Sequence, residues 1–185
     1  IGSRFLRAGP AYGGSCFPKD TRAIVDTAKE FKTDLSIIKN VIKSNENRSK
    51  ILFNRVSKLL KNKLKNKKIT FLGVTFKANT DDMRDSSSLT MIPALLKKGA
   101  IISYFDPTGY KEEFKRFKNV SYSNSIKRSI EGSDLVIIHT EWNDFKSINF
   151  RNLVKGKKFI IYDMRNIYSP LKIRNQGFKY FSIGR

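Results

Sequence analysis

From Lys67 to its end the sequence repeats one pattern: a short apolar run, a glycine or polar stop, then residues at helical spacing. The runs are "KKITFLGV", "AIISYFDP", "NVSYS", "DLVIIHT", "KKFIIYD" and "FKYFSIG". Between them "SSSLTMIPALLKKG", "YKEEFKRF" and "NSIKRSIEGS" read as helices. The first of these has a serine N-cap, a stop at Gly99 and a kink signal at Pro93. Strands alternating with helices at this spacing predict an α/β fold with a parallel, doubly wound sheet. Such sheets bind ligands outside the carboxyl ends of their strands. The search for function therefore starts there.

The segment before Lys67 has a different character. Residues 1–17 read as a loop with Gly2, Gly9, Gly13 and Gly14. A helix is expected from Pro18, with Ile24, Val25, Ala28 and Phe31 at helical spacing. A second helical pattern runs from Leu35 to Leu64. Its middle, "KSNENRSK", is polar, so it reads as one long helix or two.

Charge and rare residues exclude some functions. The 185-residue chain carries a net charge of +21, which raises the possibility of a nucleic-acid binder. The densest basic cluster, Lys58 to Lys68, lacks the interleaved aromatics of a single-strand platform. No Cys/His finger is possible, and no nucleic-acid partner is expected. The single histidine, His139, excludes a multi-histidine metal site within the chain, and no metal is expected. No apolar run is long enough to span a membrane, and no signal-peptide pattern opens the chain. A lone cysteine forms no internal disulfide, so the expected compartment is the reducing cytoplasm. The chain starts with Ile1 and runs at once into a glycine-rich loop, which suggests a piece of a longer protein.

The strand ends carry cations. Lys77 and Arg84 follow the first strand, and Arg165 follows the fifth. Such cations suit a phosphate-bearing ligand, although each alone also reads as a solvated surface residue. The first turn holds only Gly73 and no G-x-G-x-x-G. A mononucleotide or nucleotide sugar fits this turn better than a dinucleotide.

The lone Cys16 lies in "GGSCFPKD". It precedes a helix start and has Lys19 and Arg22 close behind, a setting that favours a thiolate. Gly13 and Gly14 let the backbone approach a ligand, and Asp20 follows one helical turn later. Two readings stand: a nucleophile with an acid/base partner, or an inert small residue in a loop.

"FLRAGPAYGGSCFPKD" (Phe5–Asp20) resembles the catalytic loop of the UDP-glucose 6-dehydrogenases, a branch of the UDP-glucose/GDP-mannose dehydrogenase family. "KKITFLGVTFKANTDDMRDSSS" (Lys67–Ser88) resembles the start of that family's UDP-binding domain, and "FDP" and "YDMRN" fit it too. The resemblance covers essentially the whole chain. It implies residues 1–65 as the catalytic loop and the end of a central helical dimerisation domain. Residues 66–185 would be a Rossmann-like UDP-binding domain, with the N-terminal NAD-binding domain absent.

The activity implied is oxidation of UDP-glucose to UDP-glucuronate with two NAD molecules. In it Cys16 forms a thiohemiacetal and then a thioester, and Asp20 activates or positions the hydrolytic water. Phe5, Leu6, Arg7, Ala8, Gly9, Gly13, Phe76, Lys77 and Arg165 would meet the nucleotide sugar, and Lys19 and Arg84 the NAD. A homodimer is implied. "SCFPKD" favours UDP-glucose over the UDP-N-acetylmannosamine and GDP-mannose branches.

The sequence also departs from the family pattern. Ala11 stands where glycine is usual, at a cost of ~1 kcal/mol if that position needs positive φ. Arg7 stands where lysine or asparagine is common. With the first half missing, the 185-residue chain is expected to be inactive alone. The alternatives are a non-catalytic nucleotide-sugar-binding or dimerisation fragment, or a related nucleotide-sugar dehydrogenase of the GDP-mannose type.

Overall fold

A computed structural model describes residues 2, 6–154 and 158–184. Two helices come first: α1 (Cys16–Glu30) and α2 (Ser36–Leu59). Then follow β1 (Lys68–Leu72), α3 (Ser88–Lys97), β2 (Ile101–Phe105), β3 (Val120–Tyr122), α4 (Ile126–Ile130) and β4 (Leu135–Ile138). The chain continues with α5 (Asn143–Lys146), α6 (Phe150–Leu153), β5 (Ile160–Asp163), α7 (Pro170–Asn175) and β6 (Lys179–Ser182).

The six strands form one sheet in the order β3-β2-β1-β4-β5-β6. Every pairing is parallel: Ile69 faces Ile102 on one side and Leu135 on the other, and Ile160 faces Lys179. The central strand β4 is buried along its whole length. This explains why "LVII" is continuously apolar and does not alternate.

The two faces of the sheet have separate cores. Leu52 and Val56 of α2, with Met91, Ile92 and Leu95 of α3, cover Ile69, Phe71, Ile102, Ile137 and Tyr162. Ile130 of α4, Phe145 of α5, Phe150 of α6 and Ile173 of α7 cover Leu72, Val136, Ile138 and Ile161. Alternate residues of β5 therefore point to opposite layers.

The expected parallel sheet forms, and all six strands lie where their apolar runs predict. Several local expectations differ. Helix α1 begins at Cys16, two residues before Pro18. Pro18 still sits in the first turn, where a missing N–H breaks no intrahelical bond. Helix α2 is continuous through its polar middle. Pro93 lies inside α3 without ending it. Within "YKEEFKRF" only Glu112–Phe114 is helical, as a single 3-10 turn that buries Phe114 against Tyr104.

Ser87 is the N-cap of α3 but makes no capping bond. Its Oγ lies 2.8 Å from His139 Nε2 instead. Ser86 and Ser88 both donate to the Val74 carbonyl, at 2.7 and 2.6 Å. The serine triplet thus ties the start of α3 to the turn after β1 and to the end of β4.

Candidate functional site

The strand order reverses between β1 and β4, and a cleft of about 1680 Å³ opens at their carboxyl ends. Its walls come from the glycine loop, the first turn of α1, the middle of α2 and the segments after β1, β4 and β5. Two motifs far apart in sequence therefore meet. Arg7, Ala8, Gly9, Gly13 and Cys16 line one side, and Phe76, Lys77 and Arg165 the other.

The remaining expected site residues are not among those that line this cleft. Leu6 is exposed at the loop's start, and Phe5 lies outside the described residues. Lys19 and Asp20 sit on the exposed side of α1, paired with each other at 2.5 Å. Arg84 is exposed and clamps Asp82 through both carboxylate oxygens, at 2.9 and 2.8 Å. That clamp holds the Asp82 carboxyl below its ordinary range, and Asp82 itself lines the cleft.

The glycines serve a closer purpose than ligand approach. A Cβ on Gly13 would stand 2.6 Å from the Asp85 carbonyl oxygen. Gly14 has φ +85°, its N–H donates to the Arg84 carbonyl at 2.8 Å, and a Cβ there would stand 2.7 Å from the Phe76 ring. The loop thus lies directly on the segment after β1. Ala11 is not at positive φ, so the cost considered for it does not arise.

Helix α2 holds the loop from the other side. Asn45 accepts from Tyr12 N–H at 2.9 Å and donates to the Tyr12 carbonyl at 3.1 Å. Arg48 donates to the carbonyls of Pro10 and Gly9, at 3.0 and 2.9 Å. Both residues lie in the polar stretch that left the helix assignment open. Sequence reasoning missed them. Their i, i+3 spacing puts them on one helix face, and that was the available signal.

Arg165 organises the opposite wall. Its side chain donates to the His139 carbonyl at 2.9 Å and to the Phe76 carbonyl at 2.6 Å, and lies 3.0 Å from Glu141. Burial pulls its pKa down, opposed by Glu141 and Asp163. The guanidinium also packs on Gly9, where a Cβ would stand 2.9 Å from Nη1. Gly9 is therefore held between Arg48 and Arg165. Glu141, another residue that sequence reasoning missed, lines the cleft beside it.

Two cations remain free for a ligand. Lys77 is exposed with its ammonium 5.3 Å from the Phe76 ring centroid, and neither it nor Arg7 has an ion-pair partner among the described residues. Such donors suit a phosphate-bearing ligand. Cys16 is exposed on the same cleft, with Ser15 Oγ 3.6 Å from its sulfur. His139 is fully buried, and its pKa is pushed down to about 3 by burial and by Arg165. It is neutral near pH 7 and does not line the cleft.

The turn after β1 does not fit a dinucleotide. Gly73, at φ +78°, is spent on close passage of Thr140, whose Cβ would lie 2.4 Å from an added Cβ. Asp106, at the end of β2, turns inward to Val74 N–H at 2.8 Å and to Thr108. An acidic residue so occupied is not available to a ribose hydroxyl. Among the described residues no group of acidic, histidine or cysteine side chains is placed to hold a metal.

Comparison with known proteins finds relatives along the whole chain. Residues 70–170 match the profile of the UDP-glucose/GDP-mannose dehydrogenase family, UDP binding domain, and residues 1–47 match that family's central domain. The UDP-glucose 6-dehydrogenase of Rhizobium meliloti is 39% identical over the whole of this chain, which spans 43% of that relative's length. The enzyme of the same name from Rickettsia felis is 38% identical, again over the whole chain and 42% of the relative. A UDP-glucose dehydrogenase structure from Pyrobaculum islandicum superposes with a TM-score of 0.81 at 26% identity, over 98% of this chain and 40% of that one. A UDP-D-ManNAc dehydrogenase from Pyrococcus horikoshii gives 0.79 at 27% identity, over 96% and 40%.

Proposed function

Since the chain belongs to the UDP-glucose/GDP-mannose dehydrogenase family, we propose that it is the nucleotide-sugar-binding and thiol-bearing part of an NAD-dependent UDP-glucose 6-dehydrogenase. The observation that carries this reading is the meeting of Cys16 with Phe76 and Lys77 on one cleft at the reversal of strand order. In this reading residues 1–65 are the catalytic loop with the end of the central helical domain. Residues 66–185 are the UDP-binding domain.

The hydride acceptor for each of two oxidations of the sugar carbon would be supplied by NAD. The sheet described above does not fit a dinucleotide. Lys19 and Arg84 are instead assigned to an NAD that would be held mainly by residues outside this sheet. Arg7 and Lys77 neutralise the diphosphate, and Phe76 and the loop from Leu6 to Gly13 enclose the sugar. Phe5 is assigned to the same wall. Arg165 keeps Phe76 and Gly9 in place through the Phe76 carbonyl and its packing on Gly9.

Cys16 sulfur adds to the aldehyde carbon left by the first oxidation and forms a thiohemiacetal. Loss of hydride from that carbon, with release of the hydroxyl proton, would leave a thioester. Water then attacks, the carbon–sulfur bond breaks, and the carboxylate leaves with the thiol restored. Asp20, one turn along α1 and paired there with Lys19 outside the cleft lining, is assigned to activating or positioning that water.

The family resemblance further implies a homodimer and a cytoplasmic location. Exposed apolar side chains on α1 and α2 and just after α1, namely Ile24, Ile37 and Phe31, support a covered face there. No described helix is long and apolar enough to cross a membrane.

Calorimetry with UDP-glucose and UDP tests the binding half of the proposal, and both are expected to bind the 185-residue chain. NADH formation tests the chemistry. The chain alone is expected to form none, and turnover is expected when the N-terminal half of a relative is supplied. Cys16→Ser is expected to abolish glucuronate formation in that mixture. Unchanged turnover by Cys16→Ser would remove the proposed role of the thiol.

A further inference from the structure

A second depression, of about 340 Å³, lies away from the cleft and shares none of its lining residues. It sits between the outer flank of α2, at Arg55, Lys58 and Leu59, and the sheet edge at Tyr162, Phe181, Ser182 and Gly184. Its origin is topological. The connections after β4 run through α5, α6 and α7, whose Phe145, Phe150 and Ile173 all pack on the opposite face. Only α2 remains to cover the β5–β6 end of this face, and Phe181 of the edge strand stays 42% exposed.

Two features of this furrow point to a ligand. Tyr162 is 1% exposed, and its hydroxyl has no hydrogen-bond partner among the described residues. A buried hydroxyl without a partner is unfavourable, and native interiors nearly always supply one. Arg55 and Lys58 stand on the rim one turn apart and make no ion pair or hydrogen bond among the described residues. They lie two turns or more beyond Arg48 on α2, roughly 11 Å along the helix axis for Arg55. One helix thus holds the glycine loop with one part and walls the furrow with another.

We propose that this furrow binds the phosphate or carboxylate group of a small molecule, with Arg55 and Lys58 as charged donors and Tyr162 as the buried one. All three are donors toward such a group, and a phenol beside a guanidinium and an ammonium suits an oxyanion. The proposal is independent of the function assigned to the main cleft.

The test is a titration of the 185-residue chain with inorganic phosphate, and separately with acetate, followed by backbone amide chemical shifts. The amides of Tyr162, Phe181 and Ser182 report on the furrow, and those of Phe76 and Lys77 on the main cleft. Saturable shifts at the furrow are expected, at about 1–10 mM, with the two anions ranking the phosphate and carboxylate sources. Arg55→Gln and Lys58→Gln, both surface changes, are each expected to weaken binding by about tenfold, as loss of a charged hydrogen bond does. Tyr162→Phe removes one oxygen and is expected to weaken it about tenfold, the effect of one hydrogen bond to an ionised acceptor. No saturable furrow shift with either anion, or shifts unchanged in all three variants, would overturn the proposal.

Discussion

Asn45 grips the peptide groups on both sides of Tyr12, accepting from its N–H at 2.9 Å and donating to its carbonyl at 3.1 Å. One amide side chain on a rigid helix thus satisfies both backbone groups of a loop residue, as a neighbouring strand would. The loop that carries Cys16 is positioned by this contact and by Arg48.

Removing that grip should loosen the loop and leave the sheet intact. Asn45→Ala loses two partly buried hydrogen bonds, an expected cost of ~1–2 kcal/mol. Hydrogen exchange checks it: the Tyr12 amide should lose protection while the amides of β1 keep theirs. Equal protection of Tyr12 in both proteins would show that the loop holds its place without Asn45.

The two loop glycines should respond differently to an added methyl group. Gly14→Ala meets positive φ and the Phe76 ring, whereas Gly13→Ala meets the Asp85 carbonyl oxygen at 2.6 Å. Each should destabilise by ~1–3 kcal/mol. Phe76→Leu should recover part of the Gly14→Ala loss and none of the part of the Gly13→Ala loss caused by Asp85. Unfolding of the single and double variants in denaturant measures the coupling. Equal rescue of both glycine variants would contradict the assigned contacts.

Arg165 connects the ends of three strands, so its loss should exceed that of a surface cation. Arg165→Ala leaves Glu141 without its partner and the Phe76 and His139 carbonyls without a donor. The expected cost is ~3 kcal/mol, read from denaturant unfolding. Arg165→Met with Glu141→Gln should cost less than the two single changes together, because neither leaves a buried charge behind. Strict additivity would mean that the pair is not coupled.

The sheet was legible because its signal is additive along the chain. Every strand announces itself as an apolar run, and the run "LVII" stays apolar because both faces of β4 are covered. Cys16, Phe76 and Lys77 were legible as motifs, and the strand ends gave their place. The four-residue helices α5 and α6 were not, since a single turn shows no periodicity. The grip of Asn45 and Arg48 was hidden for another reason. Polar residues in mid-helix look alike in sequence whether they face water or a loop, and "KSNENRSK" has no apolar neighbour to mark its buried side. Arg165 was expected to face the ligand, but its bonds to two carbonyls depend on long-range contacts that no local pattern encodes.

His139 should make the fold sensitive to mild acid. It is buried between Ser87 Oγ, at 2.8 Å from Nε2, and Thr140 Oγ1, at 3.2 Å from Nδ1, with the Phe71 ring 6.0 Å away. Its pKa is about 3 in the folded chain, against an ordinary value of 6.5. Below pH 6.5 the unfolded chain binds a proton that the folded chain refuses until about pH 3. The stabilising contribution is therefore complete above the unfolded value and lost as pH falls toward the folded one. The loss is ~1.4 kcal/mol per pH unit across that window, or roughly 2 kcal/mol between pH 7 and 5. Asp163 opposes it, because burial raises its pKa and its contribution is lost as pH rises. That residue is unchanged in His139→Gln, so the difference between the two proteins isolates the histidine. Denaturant unfolding at pH 7, 6 and 5 should show the gap between wild type and His139→Gln shrinking as pH falls. Parallel curves for the two proteins would mean that His139 takes up its proton in the folded state, and the buried neutral assignment would fail.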